Sequence, residues 1–280
     1  MILVRTYGGL GNQMFQYAFA KTYALKFNKI LIIDNLSGFG KHDEYNRDFS
    51  LDQFDLNDDL LSDKLLLKYF IGNKYFWSIG RRIGFIRKEY DITKYDEKYI
   101  GKENKKYLDG YWHSPKYFDE CKSQIINLFK VDHVESNAVS SNIKLIEKTN
   151  NSVAIGLRFF QEVSIYGIHS ILDKDYYKRA ISLMQSKLKK PHFFIFSNDN
   201  ELAEEFFEFL DNKTIIDPIK DNRGAIYDLF LMSRCENFII SNSTFHWWGA
   251  YIGETGDSIV TAPKNGYYNK DMMCEHWVKI

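Results

Sequence analysis

Only three cysteines, Cys121, Cys235 and Cys274, occur in 280 residues. They stand far apart, without the spacing of a metal site, and an odd number of isolated thiols fits a reducing compartment rather than a disulfide scaffold. Prolines number four. That scarcity, together with an aromatic content of 16%, excludes a disordered chain and points to clefts lined by rings. Neither sign of charge is in excess: 37 basic and 37 acidic side chains leave no global field to recruit nucleic acid or an anionic membrane. No apolar run approaches the ~20 residues of a membrane span. Met1–Val4 runs directly into Arg5 and a glycine turn, without the apolar core and cleavage site of a signal peptide. A cytoplasmic protein without a nucleic-acid partner is expected, and the length suggests two domains of about 130 residues each.

What the chain does contain is organised around Phe238 to Tyr251, an apolar run that stops in small polar residues and resumes in aromatics. This reads as a buried strand, a polar turn and the start of a helix. There Ser241, Asn242, Ser243 and Thr244 can cap the helix, while its first-turn N–H groups can bind an anion such as phosphate. An ordinary cap backed by the Trp247–Trp248 pair remains open.

The N-terminus has a related form. A strand over Ile2–Thr6 leads into Gly8, Gly9 and Gly11 with Asn12 and Gln13, then into a helix over Met14–Phe27 carrying Phe15, Phe19 and Tyr23. Glycines here let the backbone approach a ligand, with a tight turn as the plainer alternative. A third glycine and a Lys-Ser/Thr pair are both missing, so neither the dinucleotide nor the Walker pattern is met. Lys29–Asp34 is a second strand, which implies a right-handed crossover. From Asn35 to about Lys106 the pattern weakens and its strands cannot be ordered. Arg81, Arg82, Arg87 and Lys88 read as a solvated basic face, with contact to a lipid headgroup as the alternative. Tyr107–Ser114 reads as a turn bearing three rings and His113, which suits a carbohydrate platform, and a helix over Pro115–Phe129 follows. A lone histidine there is more simply structural. Asp132–Asn151, with a short helix around Ile143–Glu147, reads as the linker dividing 1–148 from 149–280.

The second half alternates regularly. Strands are expected at Ser152–Leu157, Pro191–Phe196, Thr214–Ile216, Phe238–Ile240 and Ser258–Ala262, and helices at Lys174–Lys190, Glu201–Leu210 and Ala225–Arg234. The fold class is therefore α/β, with a mostly parallel sheet covered on both faces. In such sheets ligands bind beyond the carboxyl ends of the strands, here at Arg158, at Asn198 and Asp199, and at Ser241–Thr244. A nucleoside diphosphate fits that set: Arg158 and the helix end would take phosphate oxygens and Asp199 would accept from ribose or base.

Several motifs also carry a family likeness. Gly8–Tyr17, Leu108–Trp112, Tyr117–Phe118, Asp175–Tyr177, Phe196–Asp199 and above all Ser241–Ala250 make the chain resemble the α-1,2-fucosyltransferases of glycosyltransferase family 11 over nearly its whole length. The resemblance implies a GT-B-like pair of Rossmann-type domains, with an acceptor-side N-terminal half and a C-terminal half that binds GDP-fucose. It implies inverting transfer of L-fucose to the 2-hydroxyl of a terminal galactose or similar sugar of a surface glycan, with no essential metal or other cofactor. The expected donor-binding residues are Gly9, Gly11, Asn12, Gln13, Arg158, Asn198, Asp199, Ser241, Asn242, Ser243, Thr244 and His246. Asp109, Tyr111, Trp112 and His113 are expected on the acceptor side. A lipid-linked acceptor would bring the protein into peripheral contact with the inner face of the membrane. One departure stands out. The family motif His-x-Arg-Arg-x-Asp falls on Gly156-Leu157-Arg158-Phe159-Phe160-Gln161, which keeps only the first arginine. Arg158 and Glu162 are the catalytic candidates, Glu162 as a base replacing the missing aspartate, with Asp109 or His113 as alternatives. His246 stands where the family often has serine. A different nucleotide-sugar donor, and a glycan- or nucleotide-sugar-binding protein without turnover, remain open readings.

Overall fold

Short apolar runs such as Ile2–Val4 and Val153–Leu157 can bury both faces only inside a sheet covered by helices on either side. A computed structural model describes residues 1–39, 47–64, 68–69, 71, 73, 75–89, 91–92, 94–101, 106–131, 137–159, 172–219, 223–264 and 271–280. The chain forms two compact units, Met1–Phe129 with Tyr268–Cys274 and Lys130–Tyr267 with Glu275–Ile280. The division falls at Phe129 and Lys130, ahead of the expected one after residue 148.

The described elements of the first unit are β1 (Ile2–Arg5), α1 (Leu10–Lys26), β2 (Leu31–Asp34), β3 (Asp59–Leu60), α2 (Phe76–Arg82), β4 (Ile86–Lys88), β5 (Tyr107–Asp109) and α3 (Lys122–Leu128). Its strands pair in parallel in the order β3-β2-β1-β5-β4, with Ile2 opposite Leu31 and Leu3 opposite Tyr107. Helix α1 starts four residues earlier than its apolar pattern suggested, because Gly8 at φ +76° turns the chain and Gly9 serves as the N-cap. Its aromatic face is core: Phe15, Tyr17 and Phe19 are fully buried, and Phe19 stacks on Trp112 with ring centroids 4.1 Å apart. Two expectations are corrected here. Tyr107–Asp109 opens the ring-rich segment as a strand, not a turn. The helix expected over Pro115–Phe129 is broken into two 3₁₀ turns, Pro115–Tyr117 and Asp119–Cys121, followed by α3, because Phe118 leaves helical geometry at φ −142°. Asp271 returns to this unit as a strap: its carboxylate accepts from Tyr95 N at 3.0 Å and Lys116 Nζ at 2.8 Å, and its carbonyl accepts from Ser114 Oγ at 2.8 Å.

The second unit contains α4 (Asn137–Lys148), β6 (Ser152–Leu157), α5 (Lys174–Lys187), β7 (His192–Ser197), α6 (Asn200–Phe206), β8 (Lys213–Ile215), α7 (Gly224–Met232), β9 (Asn237–Ile239), α8 (Thr244–Gly253), β10 (Val260–Ala262) and β11 (Val278–Lys279). The strands are again parallel, in the order β11-β10-β9-β6-β7-β8, with Val153 opposite both Phe193 and Asn237. Most elements fall within a few residues of expectation. Helix α4 is the exception: far from a linker with one short turn, it spans 12 residues and packs on α7 through buried Val139 and Ile146. The core between β6, β7 and α5 holds Val153, Ile155, Tyr177, Phe193 and Ile195.

In both sheets the strand order reverses once, between β1 and β5 in the first unit and between β6 and β9 in the second. Such reversals open a crevice beyond the strands' carboxyl ends. Among the described residues no helix is long and apolar enough to cross a membrane.

Candidate functional site

At the reversal in the second unit, β6 ends at Leu157 with Arg158 following, while β9 runs through Ile240 into the Ser241–Ser243 turn and α8. Helix α8 is anchored by its rings: Trp247, Trp248 and Tyr251 are buried, and Trp247 stacks on Tyr251 at 4.5 Å. Helix α5 clamps both strand ends. Its Tyr177 hydroxyl donates to the Gly156 carbonyl at 3.0 Å, and its Tyr176 hydroxyl donates to the Ile240 carbonyl at 2.5 Å. This gives the adjacent tyrosines a task that their spacing alone did not reveal.

His246, in the first turn of α8, has only 4% of its surface exposed, and Nδ1 lies 2.7 Å from Ser241 Oγ. Its ring sits against Gly156, where an added Cβ would fall 2.3 Å from His246 Cγ. Only glycine leaves that space. Burial, and secondarily the charge of Arg158, push the pKa of His246 down to about 3, so the imidazole is neutral at physiological pH. Asn198 fixes the exit from β6: its Oδ1 accepts from Phe159 N at 2.8 Å and its Nδ2 donates to Phe159 O at 3.0 Å. Asp199 caps α6 by accepting from Leu202 N at 3.1 Å. At the N-cap of α8, Ser243 makes no side-chain capping bond. Asn242 Oδ1 is buried without a hydrogen-bond partner, and so is Oδ1 of Asp228 on α7, the helix packed against α8. Burial raises the pKa of Asp228 to about 7. Asp228 escaped the sequence reading, although an acid inside Ala-Ile-Tyr-Asp-Leu-Phe-Leu-Met was a visible signal.

In the first unit two amides knit the glycine turn. Gln13 Nε2 donates to the carbonyls of Gly8 and Asp48 while its Oε1 accepts from Ser50 N, and Gln16 bonds Tyr7 through both N and O. Gln13 is thus engaged by the protein itself. Gly9 faces open space, Gly11 is buried inside α1, and Asn12 Oδ1 lies 3.2 Å from His113 Nε2. Asp109 accepts from Arg5 at 3.3 Å and Arg81 at 3.5 Å, so part of the expected basic face is an ion-pair cluster. Trp112 is fully buried at φ +57° and offers no face to a sugar, whereas Tyr111 is half-buried and meets Tyr7 edge-on at 4.8 Å. Burial lowers the pKa of His113 to about 3. Glu89, another residue the sequence reading missed, sits 3% exposed beyond β4; its Oε2 accepts from Tyr111 N at 2.6 Å and Trp112 N at 2.9 Å. Burial raises its pKa to about 7, and its Oε1 has no partner. Glu162 lies outside the described residues.

The profile of glycosyl transferase family 11 matches residues 76–280. The chain is 26% identical over 293 residues to an α-1,2-colitosyltransferase from Escherichia coli, covering 100% of this chain and 99% of the relative. Over 298 residues it is also 26% identical to the O-antigen biosynthesis glycosyltransferase WbnK of Escherichia coli, covering 98% of each. Among solved structures, the NodZ α-1,6-fucosyltransferase soaked with GDP-fucose superposes with a TM-score of 0.52 at 13% identity, over 90% of this chain and 91% of that one. At that identity the likeness concerns the fold, which is GT-B-like.

Proposed function

This chain belongs to glycosyl transferase family 11 and is a glycosyltransferase; on that premise we propose that it moves L-fucose from GDP-fucose to the 2-hydroxyl of a terminal galactose or similar sugar during synthesis of a surface glycan. The observation that carries the reading is the meeting of Arg158, a buried neutral histidine and the first turn of α8 at the reversal point of the second sheet. In an inverting transfer the acceptor oxygen attacks the anomeric carbon as the bond from that carbon to the diphosphate oxygen breaks. Negative charge grows on the diphosphate, and stabilising it is the main task of the protein. Arg158 supplies a fixed cation and the helix end supplies oriented N–H groups, so the reaction runs without a metal. The unmet acceptors of Asn242 and Asp228 suit the hydroxyl and N–H donors of a nucleoside.

On the acceptor side Tyr111 and Tyr7 offer rings to a sugar. The acceptor proton passes to a carboxylate, for which Glu162 is the candidate; His113, with its depressed pKa, is a weak base. Glycan-building relatives, including WbnK, support a polysaccharide acceptor, and a lipid-linked one would hold the enzyme at the membrane face. A second reading, transfer of colitose, is favoured by the likeness to the α-1,2-colitosyltransferase over the full chain.

The test is incubation of the purified protein with GDP-fucose, GDP-mannose, UDP-galactose and the nucleotide-activated form of colitose, each with a β-galactoside, with and without a chelator. An α-1,2-fucosylated product formed equally well in the chelator supports the reading. Turnover from another donor only, or turnover abolished by chelation and restored by magnesium or manganese, overturns it.

A further inference from the structure

His246 is the group whose setting the fold explains least. A buried imidazole ordinarily has both ring nitrogens engaged. Here Nδ1 meets Ser241 Oγ at 2.7 Å, while Nε2 has no hydrogen bond to another described residue and is not among the fully enclosed polar atoms that lack one, which leaves it open to a ligand. The ring is nonetheless held in place from three sides. Trp247 and Trp248 lock the helix that carries it, Tyr176 and Tyr177 tie down the two strand ends beside it, and Gly156 leaves the volume the ring fills. A glycine inside a strand weakens the strand and marks a close approach. On β6 that approach is made by a polar ring beside Arg158 and not by an apolar side chain. If the ring were mere filler, an aliphatic residue would occupy the space without burying a polar nitrogen.

We propose that His246 and Gly156 form an interlocked pair in which the ring, held at Nδ1 by the Ser241 hydroxyl, presents Nε2–H to the diphosphate of the nucleotide sugar beside Arg158. In this tautomer Ser241 donates to Nδ1 and the proton rests on Nε2. Arg158 then provides charge, and His246 provides a directional hydrogen bond whose strength does not change with pH across the physiological range. This rests on the reading of this end of the second unit as the donor site and adds the residue that orients the diphosphate there.

GDP titration by calorimetry, with melting temperatures, tests the pair. His246→Ser should weaken GDP binding about ten- to a hundredfold, the scale of a lost hydrogen bond to a charged group, with the melting temperature nearly kept. Gly156→Ala should weaken it similarly by driving the ring from its place. Adding His246→Ser to Gly156→Ala should remove the overlap with the ring, leaving the Cβ of residue 246 at 2.8 Å, and so recover part of the stability without recovering affinity. Wild-type GDP affinity in His246→Ser, with affinity lost in Arg158→Ala, overturns the imidazole role and leaves the donor site standing. Wild-type affinity in both overturns the donor-site reading as well. Gly156→Ala binding GDP like the wild type shows that the ring is not locked and overturns the pairing.

Discussion

The two sheets reverse strand order at equivalent points, and the residues they place there are used in opposite ways. Between β1 and β5, charges face one another: Arg5 and Arg81 both reach Asp109, and the Arg5 guanidinium lies 5.2 Å from the Tyr7 ring centre and 4.9 Å from that of Trp77. Between β6 and β9 the frame is built from neutral groups: tyrosine hydroxyls on backbone carbonyls, an asparagine amide on Phe159, and a histidine that burial keeps uncharged. A crevice closed by ion pairs has matched its charges internally, which suits a rigid wall that presents rings. A frame of neutral bonds adds no charge of its own that an anionic ligand would have to displace. The proposed placement of the donor diphosphate in the second unit draws on that contrast as well as on the motif.

The largest expected effect breaks the second crevice. Arg158→Ala should lose about 3 kcal/mol or more of transition-state stabilisation, a hundredfold or greater fall in kcat, with little change in melting temperature. Arg158→Lys keeps the charge but loses the two-point grip on phosphate, so it should lose most of the turnover. Near-normal kcat in the alanine variant would move the leaving-group role elsewhere. Asp109→Ala should do the reverse. Removing the buried partner of two partly exposed arginines should lower stability in urea by about 1–2 kcal/mol, yet leave GDP affinity intact. Loss of GDP binding in a folded Asp109→Ala protein would show that the two crevices do not divide their tasks in this way.

A pH-dependent effect concerns Glu89, whose folded pKa is raised from 4.5 to about 7. Between those values the folded protein holds a proton that the unfolded chain has released, so the contribution of Glu89 to stability is largest below about pH 4.5, falls as pH rises towards 7 and then levels off. On that basis the loss is on the order of 3 kcal/mol. Asp228 imposes the same sense in the second unit between 3.8 and about 7. Glu89→Gln should therefore reduce the slope of melting temperature against pH without abolishing it. An unchanged slope would remove Glu89 from the account. The smallest effects sharpen the comparison at the helix end. Asn242→Ala and Thr244→Val should cost ~1 kcal/mol or less of stability, the scale of a cap, but should weaken GDP binding by more than that. Unchanged GDP affinity in both variants would detach this turn from the donor.

Much of the frame could be read in the sequence because it repeats: apolar run, polar turn, amphipathic helix, with Arg158 and Ser241–Thr244 falling at strand ends as that grammar requires. Where the period fails, the reading failed too. Tyr107–Asp109 is a strand whose three residues include an acid and a ring, and its place is set by pairing with β1 and β4, not by local pattern. Asn137–Lys148 is polar enough to pass for a linker until its packing on α7 is known. The site followed the same division. Arginine, hydroxyls and glycines announced themselves by type and position. Contacts between residues far apart in sequence did not: the nearness of His246 to Gly156, ninety positions away, and the two backbone N–H groups that converge on Glu89 follow from tertiary placement alone.

The strap formed by Asp271 has a consequence for the order in which the protein comes into being. The first unit holds nearly all of its residues once Phe129 has been made, but Asp271, whose carboxylate accepts from Tyr95 and Lys116 and whose carbonyl accepts from Ser114, arrives only after the whole of 130–267 has been synthesised. At about 5–20 residues per second the interval is on the order of ten seconds. Throughout it, the first unit stands on the nascent chain with a seam unsewn while the second is still being made. A premature stop after Lys264 would remove the strap from one unit and β11 from the other, so a fault in the last few codons would be felt in the part of the protein that was translated first.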